Sequence, residues 1–506
     1  MSLLRRAARG GVALGAGQTL ATLVGWVRTL VLARLLSPED FGLVGLSTLL
    51  LGFLGAISDL GLTAATIQRK NLEDGHRDAA FWMSAAMGVA LFLVSTASAP
   101  ALAWFYAEPR LGGVVLVAAI PLLLGPFSST HAMMLRRDLR FGRVAAIEAG
   151  RNVAAGAFSI ALAALGLGYW AIVLGPLASH LVAIPGYTFS NPSWRPGRPG
   201  RRATWRHARE LFSFSFYVAG AGAINFFSAN IDYAVIGKRL GKAALGTYTL
   251  AYETMTFPLT RIAALFAQVM FPAFATIQDD LAEMRETYLK ISRALALISF
   301  PILAWVAVVA PELIGLLYGD KWLPAVPALR VLSIAGALKA VGTLVGIIFK
   351  ARGKPAVELY WNIVWSIAVT GAVLVGVRWG AVGVAASISA ICVPGVLFTE
   401  WLACTYIEMK LTRWLRVLVL PTAAVAIATT AGMLARTRLE ILLPAGIPAA
   451  VLRLAALTLA MLAAYVLALR ALHPPIVAEA RTFLGYFRKE KKPAAPVAPA
   501  APKEPR

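Results

Sequence analysis

Three basic residues that could bind an anion lie deep in apolar stretches of the sequence. Arg28, Arg261 and Lys339 each fall well away from the ends of their predicted helices, so their side chains do not easily reach water. An ionisable group inside a membrane tends to face protein, water or a ligand. Because these cations are not matched by equally deep acids, they predict a cavity of positive potential for a phosphorylated or otherwise anionic ligand. For Arg28, a side chain extended to the membrane surface is the alternative.

Acidic residues also fall within the apolar stretches, namely Asp59, Glu148, Asp232, Glu253, Glu358 and Glu400. A buried carboxylate such as Asp232 or Glu253 can carry a coupling proton or sodium ion, or can form one half of a gate. A static buried pair with a neighbouring cation is an equally good interpretation. Asp232 and Glu253 are therefore candidates for a coupling-ion site or a gate.

No combination of residues predicts catalysis. The five histidines are dispersed, and the two cysteines, Cys392 and Cys404, lie on one predicted helix. Their separation along that helix is about 18 Å, too far to form a disulfide or share a metal ion. No phosphate-binding loop or dinucleotide fingerprint follows a predicted strand. The sequence therefore predicts a protein that is not an enzyme and that uses no metal and no cofactor.

The elements that must hold the charged residues are membrane-spanning helices. Of the 506 residues, 59% are hydrophobic and 14% are charged, and the mean hydropathy is +0.71, values far from those of soluble proteins. A span needs about 20 apolar residues, so the chain has room for roughly a dozen or more. We predict an all-α polytopic membrane protein with about fourteen transmembrane helices, near residues 10–36, 41–66, 79–104, 111–135, 144–165, 169–190, 211–236, 246–272, 293–311, 324–349, 357–377, 380–404, 414–435 and 446–470.

The positions of the basic residues predict the orientation of the chain. Most of the 48 Lys and Arg fall in alternate connections, which would all face the cytoplasm if the N-terminus does. Both termini are therefore predicted to be cytoplasmic. The loop with Lys238, Arg239 and Lys242 is an exception, because its cations would face outward. The net charge of +23 is attributed to loops at an anionic leaflet and not to nucleic-acid binding, since the basic stretches lack interleaved aromatic residues.

Two stretches of the first half of the chain recur in the second half. A shift of 204 residues aligns ARLLSPEDFGLVGL, from Ala33, with GKRLGKAALGTYTL, from Gly237. A shift of 212 aligns FYAEPRL, from Phe105, with LYGDKWL, from Leu317. Three matches in the same order indicate an internal duplication, the third being the pairs Glu148 with Asn152 and Glu358 with Asn362, at a shift of 210.

The duplication predicts two pseudo-symmetric six-helix lobes followed by two additional helices. Six helices bring both lobes into the membrane from the same side, so the pseudo-twofold axis lies along the membrane normal and the functional cavity is expected between the lobes. Under the shift of 204, Asp232 is the counterpart of Arg28, and such a pair facing across the opening could close a gate. The predicted segments are an N-terminal lobe (1–205), a C-terminal lobe (206–410), helices 13 and 14 (411–472) and a disordered cytoplasmic tail (473–506).

Three stretches carry a resemblance to a known family, namely ARLLSPEDFGLVGL, SDLGLTAATIQRK from Ser58, and NIDYAVIGKRLGKAALGTYTLAYE from Asn230, followed by Pro258. In these stretches the sequence resembles polysaccharide flippases of the Wzx type, most closely the colanic-acid-exporter branch of the multidrug/oligosaccharidyl-lipid/polysaccharide exporter superfamily. The resemblance covers nearly the whole chain to about Arg470. It implies a protein of the bacterial inner membrane.

The resemblance further implies a flippase that moves undecaprenyl-diphosphate-linked oligosaccharides from the cytoplasmic to the periplasmic leaflet, for the synthesis of exopolysaccharide, capsule or O-antigen. Arg28, Arg261 and Lys339 are the residues that fit a cationic cavity for the diphosphate. The expected partners are the lipid-linked substrate, membrane lipid, and a polysaccharide polymerase and chain-length protein. A cation-coupled drug antiporter of the same superfamily is the alternative, but its cavity should be lined by deep acids and not by deep cations. A lipid-binding scaffold without transport is a further alternative.

Overall fold

The structure is a computed structural model that describes residues 20–58, 66, 73–138, 140–191, 194–197, 226–259, 274, 277, 280–352, 355–443 and 446–473. No β-strand occurs in these ranges. The helices are α1 (20–35), α2 (Pro38–Ser58), α3 (Asp74–Tyr106), α4 (Arg110–Ala118), α5 (Ile120–Arg137), α6 (Phe141–Ala164), α7 (Trp170–Ser190), α8 and α9 (226–259, before and after Gly241), α10 (Leu281–Val308), α11 (Ala310–Tyr318), α12 (Val326–Gly342), α13 (Val345–Ala351), α14 (Pro355–Gly376), α15 (Gly380–Tyr406), α16 (Leu411–Leu442) and α17 (Ile447–Leu472).

In both copies of the first repeat, the chain reverses its direction between two consecutive helices. Between α1 and α2, Ser37 and Asp40 cap the new helix reciprocally: the Ser37 backbone N–H donates to Asp40 Oδ2 (2.9 Å), and the Asp40 N–H donates to Ser37 Oγ (3.2 Å). Between α8 and α9, Tyr248 donates a 2.8 Å hydrogen bond to Asp232. Sixteen residues of straight helix would separate these groups by about 24 Å, so the chain reverses between them. The reversal is at Gly241, whose φ of 84° favours glycine.

The described helices follow the predicted spans, with local breaks. Eight described stretches are long and apolar enough to cross a membrane. The predicted span 111–135 consists of two helices, because the chain bends at Ala119 and Pro121 begins α5. The predicted span 324–349 also consists of two helices, α12 and α13, with a break between Gly342 and Val345. The all-helical membrane fold is thus confirmed, while the number of fourteen helices stays a prediction.

Helix packing separates the described chain into two bundles and an added pair. Helices α2 to α7 pack against one another, α10 to α15 form a second bundle, and α16 and α17 pack together against α10 and α11. Large apolar side chains point outward on the added pair, including Leu434 (65% exposed) and Leu459 (67% exposed). Such surfaces suit contact with lipid. We keep the names N-terminal lobe (1–205) and C-terminal lobe (206–410), whose boundaries stay predictions.

Candidate functional site

Arg28 lies on α1 at the contact between the lobes. Its Cβ is next to Gly156 of α6, and the preceding turn of α1 contributes Trp26, which stacks on Phe257 of α9 with ring centroids 5.0 Å apart. Across the same contact, Arg28 and Glu253 of α9 attract each other electrostatically. The Nε atom of Arg28 is buried and has no hydrogen-bond partner among the described residues. The Nε–H group of Arg28 can therefore still donate a hydrogen bond to an anion.

Asp232 and Lys339 lie together inside the C-terminal lobe. Asp232 is 3% exposed and accepts the hydrogen bond from Tyr248. Lys339 of α12 has its ammonium 5.4 Å from the centre of the Tyr252 ring and 3.4 Å from its hydroxyl, and it attracts Asp232 electrostatically. Tyr233 completes a cluster of three mutually packed tyrosine rings with Tyr248 and Tyr252. The acid and the cation are thus held by one aromatic cluster.

Two cavities of the C-terminal lobe meet at Lys339. One, of about 220 Å³, is lined by Asp232 and Tyr252 together with Lys339. The other, of about 410 Å³, extends from Lys339 between α12, α13, α14 and α15. Both also contain Asn362 and Trp365 in their walls. Lys339 consequently lines cavities within one lobe, whereas the sequence had predicted a cavity between the lobes.

The predicted site residues pair as two cation–acid sets. Arg28 has Glu253 as its electrostatic neighbour, and Lys339 has Asp232. The predicted pairing of Arg28 with Asp232 is therefore not the one observed, although the two residues align under the repeat. Arg261 lies outside the described residues, so its place relative to either set stays a prediction.

The two lobes are joined by hydrogen bonds at the duplicated stretches, a contact we call the repeat seam (residues 33–46, 105–111, 237–250 and 317–323). Arg34 Nε of the N-terminal lobe donates to the Leu317 carbonyl at 3.0 Å. Lys238 Nζ of the C-terminal lobe donates to the Phe105 carbonyl. The shift of 204 relates Arg34 to Lys238, and the shift of 212 relates Phe105 to Leu317. The two bonds are therefore pseudo-symmetric copies of one interaction.

The seam bonds satisfy carbonyl groups that a helix leaves free at its C-terminal end. Leu317 and Phe105 lie in the last turns of α11 and α3, where a cation is also favoured by the helix dipole. In the same way, the end of α1 is capped from the other lobe, because Lys321 donates to the Arg34 carbonyl (2.7 Å) and Trp322 Nε1 to the Ala33 carbonyl (2.8 Å). Hydrogen bonds between described residues of the two lobes all involve the seam.

Two glycines allow the helices of the seam to cross at backbone contact. A Cβ added to Gly42 of α2 would overlap the carbonyl oxygen of Lys242, and a Cβ added to Gly246 of α9 would overlap that of Pro38. The shift of 204 relates Gly42 to Gly246 and Pro38 to Lys242. Close crossings of this kind require residues without a side chain. The seam thus has the same steric requirement on both sides of the pseudo-twofold axis.

Glu108 forms an ionic cluster in the seam. Its carboxylate accepts a 2.8 Å hydrogen bond from Arg110 of its own lobe and one from Lys242 of the opposite lobe. These two cations, Arg110 first, lower the pKa of Glu108 to about 2. The shift of 204 relates Lys242 to Pro38, which cannot donate, so this ion pair has no symmetric copy. The seam lies at the end of the bundle that the charge pattern predicts to face outward.

We expect the seam to tolerate mild acid and to weaken in strong acid. Ionised Glu108 stabilises the closed seam fully at pH values above 4.5, the usual pKa of a glutamate. This stabilisation is lost as the pH falls from 4.5 through about 2, the pKa of Glu108 in the closed seam. The fraction of closed seam, followed by energy transfer between dyes on the two lobes, should stay constant between about pH 7 and about pH 5. Glu108→Gln should lower that fraction at neutral pH, whereas Glu283→Gln, an exposed acid on α10, should not. Opening of the wild-type seam between about pH 6 and about pH 5 would contradict this assignment.

Comparisons with known proteins agree with the membrane fold. The sequence profile of a family described as "Polysaccharide biosynthesis protein" matches residues 31–327. The "Teichuronic acid biosynthesis protein TuaB" of Bacillus subtilis (strain 168) is 30% identical over 391 residues, which are 74% of this chain and 78% of that protein. The "Succinoglycan biosynthesis transport protein ExoT" of Rhizobium meliloti (strain 1021) is 26% identical over 352 residues, 68% of this chain and 69% of that protein.

A solved structure shares the fold. "Lipid II flippase MurJ, inward closed conformation" superposes with a TM-score of 0.70, covering 92% of this chain and 100% of that one. The sequences are 10% identical, so the likeness shows the arrangement of helices alone.

Proposed function

We propose, from the premise that the chain belongs to the polysaccharide biosynthesis protein family, that it is a flippase for undecaprenyl-diphosphate-linked oligosaccharides. It moves these units from the cytoplasmic to the periplasmic leaflet for the synthesis of a surface polysaccharide. One relative is a succinoglycan biosynthesis transport protein, which supports transport as the activity. The described residues show no group of His, Cys, Asp or Glu that could hold a metal ion.

The observation that carries this proposal is the repeat seam. Alternating access requires two lobes that can be joined at one end while the other end is open. The seam supplies such a joint, which combines side-chain hydrogen bonds to helix ends with an apolar cluster that both lobes share, including Leu43, Leu46, Leu245 and Trp322. When the seam opens, its hydrogen bonds can be replaced by bonds to water, which lowers the free-energy cost of breaking them.

The proposed binding site for the diphosphate consists of Arg28, Arg261 and Lys339. Arg28 supports this assignment best, because its buried Nε has no hydrogen-bond partner among the described residues. A phosphate oxygen would supply that partner as a charge-assisted acceptor. Glu253 balances Arg28 before substrate binds, and the arriving anion then competes with it. We assign Glu253 to the gate or the coupling ion, and Asp232 to the coupling ion.

Further proposals concern location and partners. We propose that the chain lies in the bacterial inner membrane, as its family membership suggests. The distribution of Lys and Arg supports a cytoplasmic location for both termini. The tail predicted at 473–506 lies outside the described residues from residue 474 onward and is proposed to be a cytoplasmic extension. The lipid-linked substrate meets membrane lipid throughout its transfer. A polysaccharide polymerase and a chain-length protein, which would use the product, are proposed partners.

Disruption of the gene tests the function in cells. Lipid-linked oligosaccharide should accumulate in the extracted membrane lipid and should be inaccessible to glycosidases added from outside. Restoring the wild-type chain should clear it, and restoring an Arg261→Ala chain at equal expression should not. An unchanged lipid pool together with altered susceptibility to cationic drugs would favour the antiporter. Full clearance by Arg261→Ala would remove that residue from the site.

A further inference from the structure

The larger cavity of the C-terminal lobe has an aromatic wall. Trp361 and Trp365 lie one helical turn apart on α14, and their rings stack with centroids 5.7 Å apart at 29°. Phe398 of α15 extends the stack, with its ring centroid 5.2 Å from that of Trp361 at 30°. Both tryptophans line the cavity of about 410 Å³, a volume within the usual range for small-molecule sites.

A glycine of the neighbouring helix sets the position of this wall. A Cβ added to Gly395 of α15 would overlap the six-membered ring of Trp365. The indole therefore lies against bare backbone, where any other residue would displace it toward the cavity. Gly395 itself lines the same cavity. The wall is thus positioned by the contact between α14 and α15.

Polar groups stand beside the aromatic rings. Asn362 lies in the walls of both cavities, and its carboxamide can donate and accept hydrogen bonds. The indole N–H groups of Trp361 and Trp365 are two further donors on residues that line the larger cavity. An apolar ring face flanked by donors and acceptors matches a pyranose, which has an apolar C–H face and a rim of hydroxyl groups.

The wall is present in one lobe only. Under the shift of 210 residues, the counterparts of Trp361 and Trp365 are Arg151 and Ala155. Arg151 is paired with Glu148 on its own helix at 3.4 Å and so has a different role. The duplicated framework has therefore acquired a feature in the C-terminal lobe that the symmetry of the fold does not require. A specific ligand group on that side would explain the difference.

We propose that Trp361, Trp365 and Asn362 form a binding subsite for the sugar that is attached directly to the diphosphate. This inference rests on the proposed flippase function. Lys339 lines both cavities, so a diphosphate bound at its ammonium has its first sugar within the aromatic cavity. The tryptophans stack on the sugar ring, and Asn362 binds its hydroxyl groups. Gly395 is a positioning residue that keeps the Trp365 ring in place.

The test compares two lipids on the full-length protein in nanodiscs: undecaprenyl diphosphate, and undecaprenyl diphosphate bearing one galactose. The wild type should bind the galactose-bearing lipid about 3- to 10-fold more tightly, the range expected for stacking of one ring. Trp361→Ala, Trp365→Ala and Gly395→Ala should each reduce that preference and leave binding of the sugar-free lipid unchanged. Trp361→Phe keeps an aromatic face and should retain the preference.

Trp379→Ala is the matched control and should bind both lipids as the wild type does, because the Trp379 indole is 70% exposed and lies beyond the C-terminal end of α14. Equal wild-type binding of the two lipids would overturn the sugar subsite while leaving the flippase proposal in place. Loss of both lipids in the tryptophan variants, with normal thermal stability, would also overturn it. A wild type that binds neither lipid would overturn the proposed function itself.

Discussion

Replacing Gly42 or Gly246 by alanine will prevent closure of the repeat seam and abolish most of the transport. Each added Cβ would overlap a backbone carbonyl of the opposite lobe, at Lys242 or Pro38, and backbone cannot move aside as a side chain can. Forcing an extra methyl into a close contact costs about 1–3 kcal/mol, which lowers the ratio of closed to open seam about 5- to 150-fold. Because the two sites are pseudo-symmetric, the two substitutions should have effects of similar size.

Distances between spin labels on the two lobes measure this effect directly. Labels at Trp104→Cys and Arg239→Cys, both exposed positions near the seam, should report a longer separation in the Gly42→Ala protein than in the wild type. Gly55→Ala is the matched control, since it lies on the same helix and its added Cβ would meet nothing within 4 Å. An unchanged distance in Gly42→Ala, or an equal change in Gly55→Ala, would contradict the role of the crossing.

Replacing Arg28 by alanine will weaken binding of undecaprenyl diphosphate. Hydrogen bonds to charged groups contribute about 1.5–3 kcal/mol, so the dissociation constant should rise about 10- to 150-fold. Arg28→Lys keeps the charge but loses the forked donor geometry, and we expect an intermediate loss. Glu253→Gln should have the opposite effect on binding, because it removes the carboxylate that competes for Arg28. The measurement is titration of the lipid into protein in nanodiscs.

Arg438→Ala provides the control for net charge. Arg438 is an exposed cation on α16, and its removal changes the total charge by the same amount. It should leave the dissociation constant unchanged. Equal weakening in the Arg28 and Arg438 variants would show that the effect is long-range attraction and not a contact at Arg28.

The sequence predicted the two repeats but not that they form the contact between the lobes. Arg34 lies near a predicted helix end, where extension toward the membrane surface is the simplest interpretation of a lone cation. Its bond to the carbonyl end of α11 depends on a contact between residues 283 positions apart. The repeat seam also explains why the loop with Lys238 and Lys242 carries cations on the side predicted to face outward. Lys238 binds the Phe105 carbonyl and Lys242 binds the Glu108 carboxylate of the other lobe. The signal that could have revealed the seam is that its partners fall within the duplicated stretches or, as Leu316 does, directly beside them.

The candidate site was predicted less completely. Depth in an apolar stretch identified Arg28, Lys339 and Asp232 as residues of interest, because burial of charge has a cost that sequence position alone reveals. Depth does not specify partners, since these depend on how helices rotate against one another. Trp361 and Trp365 gave no signal in the sequence, because tryptophan is common in membrane helices. Only Gly395, on another helix, shows why these rings line a cavity.

Transfer of lipid between leaflets in proteoliposomes tests the central claim most directly. Vesicles containing the purified protein would be loaded with undecaprenyl-diphosphate-linked galactose in both leaflets, and a membrane-impermeant galactose oxidase would be added outside. With the wild type, oxidation should proceed beyond the outer-leaflet half and approach the whole pool, whereas with Gly42→Ala it should pass half much more slowly. Oxidation that stops near half with the wild type, as in vesicles without protein, would contradict the flippase account.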